Sequence, residues 1–520
     1  MNEIDLHNVF ELSLVLVMIA AGVTAIAKKF NQPYPIALVI VGAIIGLLNI
    51  PFLNPVKHFI TEGEIFNFVI ITLFLPALLG EAGLKLPFHQ LRDNKKPILT
   101  LSFVATLLSF IIIGFTGYYF LGLPLSSSFV FAALMSATDP VSVLSIFKSV
   151  GVKKRLAIVI EGESLFNDGL AVVLFKISAF YLLTYIDAGW VGFGMGFWEF
   201  IKVISLGLII GGALGYGFSI LTKFYDDYPL EIIFSVILFY GSFLLAESVH
   251  ASGVIAVVVA AIIFGNFGAR IGMTPTTKLN INNFWEVTAL LANSVVFLMI
   301  GLEITRISIL DKWGIIAASI LLVLIARSIA VYVSLAFSKN FPTEWKHIIN
   351  WGGLKGSLSI ALVLSLPRDF PAREDLLVLA FSVVLFSLIV QGLSIKPLIR
   401  FFRMTKLEEE TYEYEKLLAK LYRYETALNE IQSVKQKLYI TETVSREMSE
   451  EYEDKIQIIK GKIDELFTRF PRMKETQIDG LRKRLLYAEH EAIRKLEKDE
   501  IISSEMAEQE QADIIDQIIK

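Results

Sequence analysis

The chain contains no cysteine. That excludes disulfides, thiol chemistry, iron–sulfur clusters and cysteine-based zinc sites, and it leaves the redox compartment undecided. Charge is scarce through the first 400 residues, whereas acidic and basic residues crowd the last quarter. The formal net charge of −4 therefore says little about partners. The first seven residues include Glu3 and Asp5 but no Lys or Arg, so the basic n-region of a signal peptide is missing. No small-residue cleavage site stands out, and the first apolar segment reads as a retained helix. Nucleotide fingerprints, phosphate loops and zinc spacings are also missing, and no nucleophile–base pair suggests an enzyme. No cofactor is expected.

What the chain has in excess is apolar surface. It is 54% hydrophobic, with a mean hydropathy of +0.61. A soluble domain seldom averages so high, so the surplus is expected to face lipid. Apolar segments fall near 8–27, 34–50, 64–84, 97–122, 126–147, 156–184, 196–222, 230–248, 250–268, 284–304, 313–337, 345–366 and 374–402. Lengths near 20 residues match a hydrocarbon core about 30 Å thick. The expected fold is an all-α membrane protein of about thirteen transmembrane helices over residues 1–403, followed by a cytoplasmic helical tail over 404–520.

Loop charge sets the orientation. With the N-terminus outside, the cytoplasmic loops hold Lys28, Lys29, Arg92, Lys95, Lys96, Lys153, Lys154 and Arg155 among others. The opposite loops hold only Lys57, Lys202, Arg306, Lys312, Arg368 and Arg373. The bias is better than about two to one for N-out, C-in. An odd span count also permits inverted repeats, with segments 1–6 matching 8–13. Segment 5 then corresponds to segment 12. Both carry helix-breaking chemistry at mid-depth, in Thr138-Asp139-Pro140 and in Gly352-Gly353-Leu354-Lys355-Gly356. Two interrupted crossing helices are the best pointer to a midplane binding site.

The tail shows heptad-like spacing at Leu417, Leu421, Tyr424, Leu428, Ile431 and Leu438, and again at Ile456, Ile459, Ile463, Leu466 and Phe470. It reads as about two to four coiled-coil-like helices, packing on themselves or on an unknown cytoplasmic partner. Its basic residues alternate with acids, which argues against nucleic acid.

Two intramembrane acids carry the functional reading. A carboxylate at the centre of a lipid-spanning helix costs at least about 2.5–3.5 kcal/mol, so those that persist usually line an ion or proton path. Asp168 is the first candidate. Burial disfavours the charged form of a carboxyl, so such a group can hold a proton or a bare cation but not both. Ser164, four residues earlier, shares its helix face and offers a hydroxyl, while Glu163 sits just round from it. Glu163 is either a direct ligand or the counter-charge of Lys355, and an ion pair bridging segments 6 and 12 is the favoured expectation. Asn167 can position or ligate without ionising. Asp139 either touches the ion or complements the half-helix ends beside it, with Thr138 supplying oxygen or a cap. Oxygen donors of this kind suit a small hard cation. Glu81 with Lys85 reads as an interfacial pair, and Asn293 with Ser294 as a link between helices.

These motifs resemble the monovalent cation/proton antiporter family of the NhaP and eukaryotic sodium/proton exchanger type. The resemblance rests on Thr138-Asp139-Pro140, on Gly162-Glu163-Ser164-Leu165-Phe166-Asn167-Asp168-Gly169 and on Trp351-Gly352-Gly353-Leu354-Lys355-Gly356, within about residues 8–403. It implies a thirteen-helix inverted-repeat fold, a homodimer, and a core domain moving against a dimer domain. It further implies that Asp168 binds ion and proton alternately, that Thr138, Ser164 and Glu163 complete or support the site, and that Asn167 helps fix Asp139. The Asn-Asp pair resembles the electroneutral branch. Lys355 stands where the family usually carries Arg, which keeps the charge but loses the bidentate fork. The expected activity is exchange of Na⁺ (with Li⁺ or K⁺ as alternatives) for H⁺ across the cell membrane. A non-transporting sensor or scaffold signalling through the tail, and a cation channel, are the competing readings.

Overall fold

The computed structural model describes residues 6–30, 33–48, 68–225, 227–304, 312–336, 341–402, 404, 406–437 and 441–471, with scattered positions between 474 and 510. Lys57, Arg306, Leu438 and the start of segment 64–84 lie outside them. The chain forms two compact units, Met1–Met404 and Thr405–Lys520. Among the described residues the regular elements are all helices, without strands.

The first unit begins with α1 (Leu6–Lys29), α2 (Tyr34–Leu47), α3 (Phe68–Lys85), the short α4 (Phe88–Asp93) and α5 (Lys95–Phe120). Then come α6 (Leu125–Leu134), α7 (Val141–Val150), α8 (Lys154–Asp187), α9 (Gly189–Leu221), α10 (Tyr228–Ser248), α11 (Gly253–Ile271) and α12 (Pro275–Ile304). The last are α13 (Trp313–Ala336), α14 (Thr343–Trp351), α15 (Ser357–Leu364) and α16 (Arg373–Phe401). Among the described residues, nine of these helices are long and apolar enough to cross a membrane. The segment expected at 126–147 is divided into α6 and α7, and the one at 345–366 into α14 and α15.

Small residues let backbones approach, as expected where dispersion rather than the hydrophobic effect drives helix association. Gly207, Gly211 and Gly215 recur every fourth residue on α9, where a Cβ would come within 2.9 Å of Ser252 O, 2.3 Å of Ala256 O and 2.9 Å of Ala260 Cα in α11 and its cap. Gly42 of α2 and Gly301 of α12 do the same for each other's helices.

Each break leaves helix-end groups that need partners. The carbonyls at the end of α6 find them across the second break. Ser359 Oγ donates to Leu134 O at 2.6 Å, and the ammonium of Lys355 donates to Met135 O at 2.5 Å and Ala137 O at 3.2 Å. A cation therefore sits at the negative end of α6. At the start of α7 the charge is opposite: the Asp139 carboxylate accepts from Val141 N at 2.9 Å. The two breaks also bond directly, Asp139 N donating to Leu354 O at 2.8 Å. A π-turn in α16, Ser387–Gln391, completes the set. Its Ser387 Oγ accepts from Lys355 N at 3.0 Å, and its Gln391 Nε2 donates to Trp351 O at 3.2 Å.

In the second unit, α17 (Lys406–Lys437) and α18 (Glu442–Arg469) pair antiparallel, with Tyr414 against Phe467 and Tyr424 against Tyr452. Ile456, Ile459, Ile463 and Leu466 are buried, so the apolar stripe of α18 is covered within the unit.

Candidate functional site

Three residues of α8 grip one residue of the first break. Ser164 Oγ donates to the carbonyl of Thr138, and Asn167 Nδ2 donates to Thr138 Oγ1 at 2.7 Å. The Asp168 carboxylate accepts the backbone N–H of Thr138. Positions 164, 167 and 168 share a helix face because they lie three and four residues apart. Every polar atom of Thr138 is thus held by that face. Asn167 fixes Thr138, where the resemblance had implied Asp139. Its own Oδ1 has no protein partner among the described residues, although the side chain is fully buried.

The same face borders a cavity of about 130 Å³. Thr138, Asp139, Ser164 and Asp168 line it, together with Glu81 of α3, Glu161 of α8, Asn293 of α12 and the start of α15 at Gly356 and Ser357. Three carboxylates besides Asp168 thus border one space, mixed with hydroxyl, amide and backbone oxygen. Among the described residues these carboxylates do not gather into one metal-binding cluster, so the donors suited to a hard monovalent cation are Asp168 with the hydroxyl and backbone oxygen beside it. Close approach of the breaks depends on Gly356, where a Cβ would lie 2.4 Å from Asp139 Cβ.

Glu163 is not part of that wall. It turns away and pairs with Arg327 of α13 at 2.6 Å, the two side chains being 2% and 8% exposed. This corrects the expected Glu163–Lys355 bridge. Lys355 instead satisfies main-chain oxygens, because a broken helix exposes carbonyls that a lysine can reach without a carboxylate. Gly353 makes room for Arg327, since a Cβ there would lie 2.8 Å from its Nε. Sequence reading missed Arg327, although its position within an apolar stretch carried the same signal as the acids.

Tyr34 of α2 was also missed. Its hydroxyl bonds the Asn293 side chain, and both Asp139 and Glu81 are electrostatic neighbours. At the end of α3, Lys85 pairs with Glu81 at 2.7 Å and with Glu286 of α12 at 2.8 Å. Ser294 meets Thr24 of α1 at 3.2 Å, so Asn293 and Ser294 both bond between helices.

The transmembrane sodium/hydrogen exchanger family matches the chain over residues 14–401. The Na(+)/H(+) antiporter NhaG of Bacillus atrophaeus is 67% identical over 520 residues, covering 100% of this chain and 99% of its own. The Na(+)/H(+) antiporter NhaH of Halobacillus aidingensis is 54% identical over 394 residues, which span 76% of this chain and 98% of that one. Among solved structures, the sodium proton antiporter MjNhaP1 from Methanocaldococcus jannaschii at pH 8 superposes with a TM-score of 0.62 at 22% identity, covering 76% of this chain and 98% of its own. That likeness concerns the fold. By sequence over most of its length, this multi-pass membrane protein belongs to the sodium/hydrogen exchanger family.

Proposed function

We propose that the chain is a secondary antiporter exchanging Na⁺ for H⁺ across the cell membrane, with both ions competing for Asp168. The observation that carries this reading is the convergence of Asp168, Asp139, Ser164 and Thr138 on one cavity at two broken helices. A carboxylate there is expensive unless neutralised, and a proton or a cation neutralises it equally. Occupancy by one excludes the other, and that exclusion couples the two fluxes. When the cavity alternates between the two sides of the membrane, each crossing carries either Na⁺ or H⁺. With Asn167 unable to ionise, Asp168 is the one titratable group among the three side chains that hold Thr138, which favours one cation per proton.

In this reading Ser164 and the backbone of Thr138 supply ligand oxygens, and Asp139 holds the break by capping α7. Asn167 orients Thr138. Glu163 with Arg327, and Lys355 with the α6 carbonyls, brace the site without touching the ion. Thirteen crossings, inverted repeats, an outside N-terminus, a cytoplasmic coiled tail and a homodimer complete the architecture proposed. The names borne by NhaG and NhaH support the ion pair chosen.

The test is a dye-reported proton flux in proteoliposomes, run with Na⁺, K⁺ and Li⁺ under a clamped potential. Wild-type protein should move protons against a Na⁺ gradient without net charge, and Asp168→Ala should fall to the protein-free background. Transport unchanged by Asp168→Ala would contradict the assignment, and single-channel currents would replace it with a channel.

A further inference from the structure

α4, the start of α5, α8 and α11 border a second space of about 410 Å³. Its wall is almost wholly hydrocarbon, from residues such as Ile98, Phe166, Val259 and Ile262. Arg92 and Lys95, both exposed, border it with their aliphatic stems at the turn that joins α4 to α5, their charged ends lying outside the hydrocarbon wall. Among the described residues, neither has an ion-pair partner, although Asp93 lies between them in sequence. Another apolar groove of comparable size, about 340 Å³ beside α1 and α12, has a different character. It includes the hydroxyls of Thr24 and Ser294 and a single cation, Lys28.

We propose that the groove between α4, α5, α8 and α11 binds one anionic phospholipid, its acyl chain against Ile98, Phe166 and Ile262 and its phosphate held by Arg92 and Lys95. The inference rests on the membrane-spanning reading, which supplies lipid at this depth, and on the positive-inside placement of the α4 turn. Three features select this occupant. A dry, carbon-lined groove offers nothing to a polar solute and suits a hydrocarbon chain. Two cations without an ion-pair partner at one end favour an anionic group, and phosphate accepts from both guanidinium and ammonium donors. Phe88 and Leu99, at 57% and 47% exposed, line the same groove and extend its apolar surface outward. Phe166 directly precedes Asn167 and Asp168, so the acyl chain would rest on the back of the helix face that holds the ion site.

Native mass spectrometry of the detergent-purified full chain, titrated with phosphatidylglycerol or phosphatidylcholine, reads binding without requiring transport. The expected result is one phosphatidylglycerol retained per chain in preference to phosphatidylcholine. Arg92→Gln with Lys95→Gln should lower that preference by about fivefold for each charge removed. Lys223→Gln with Arg400→Gln, which removes two exposed cations elsewhere, should leave it intact. Val259→Trp should displace the lipid with both cations present. Equal retention of the two lipids by the wild-type chain would overturn the proposal, as would equal losses in the two glutamine pairs. Either result would leave the antiport reading to stand or fall on its own flux assay.

Discussion

Thr138 shows how much of the site depends on single atoms. Its hydroxyl is the acceptor for the buried Asn167 amide, so Thr138→Val leaves that donor unsatisfied. The expected cost is about 1–3 kcal/mol, read as a lower melting temperature of the detergent-purified protein. Thr138→Ser should restore most of it. The buried pair of Glu163 and Arg327 is a larger stake: removing one partner strands a charge at a cost of about 3–5 kcal/mol. Arg327→Gln should therefore destabilise far more than the double variant with Glu163→Gln, and a double-mutant cycle on melting curves measures the difference. Equal losses in single and double variants would show that the two do not act as a pair. At this scale the sequence made the acids visible because charge is rare in its apolar segments. It did not reveal their partners, because Lys355 is satisfied by backbone carbonyls that no residue type announces. Arg327 obeyed the same rarity argument, since a guanidinium within an apolar stretch needs a buried partner as much as a carboxylate does.

At the scale of elements, the two breaks act as one device. Lys355 neutralises the end of α6, Asp139 caps the start of α7, and Asp139 N joins Leu354 O across the crossing. A methyl group at position 356 would collide with Asp139, and the contact involves a short, rigid side-chain stem that cannot swing away. Gly356→Ala is expected to reduce exchange by at least tenfold while the protein still inserts, because shifts of about 1 Å in a preorganised site are costly. Flux per purified molecule, alongside a gel-filtration profile, separates that outcome from misfolding. Full activity in Gly356→Ala would mean the breaks do not need this approach. Pro140 and the clustered glycines made both interruptions legible in advance. The π-turn at Ser387–Gln391 was not legible, since one extra residue in a helical turn leaves no periodic mark. Its polar residues within an apolar helix were the available trace.

At the scale of the molecule, the missing cysteines become an advantage, because any introduced thiol is unique. Lys153→Cys, at the start of α8, should react with a membrane-impermeant maleimide only from the cytoplasmic side, and Lys202→Cys only from outside. Labelling of both from one side would overturn the proposed topology. The second unit pairs its two helices on themselves, covering the stripe that had suggested either self-packing or a partner. The Halobacillus relative is matched over 98% of its own length by only 394 residues of this chain. A chain ending at Met404 is accordingly expected to keep exchange activity within about twofold, with any change falling on its dependence on pH or partners. Loss of exchange with the membrane unit still folded would make the tail part of the transport machinery.

The most direct measurement of the central claim is proton release on Na⁺ binding, followed with a pH indicator in weakly buffered, purified protein at the acid end of its active range. Competition at one carboxyl predicts about one proton released per Na⁺ bound, with none from Asp168→Asn. Saturable Na⁺ binding to the wild-type chain with no proton released would contradict the account.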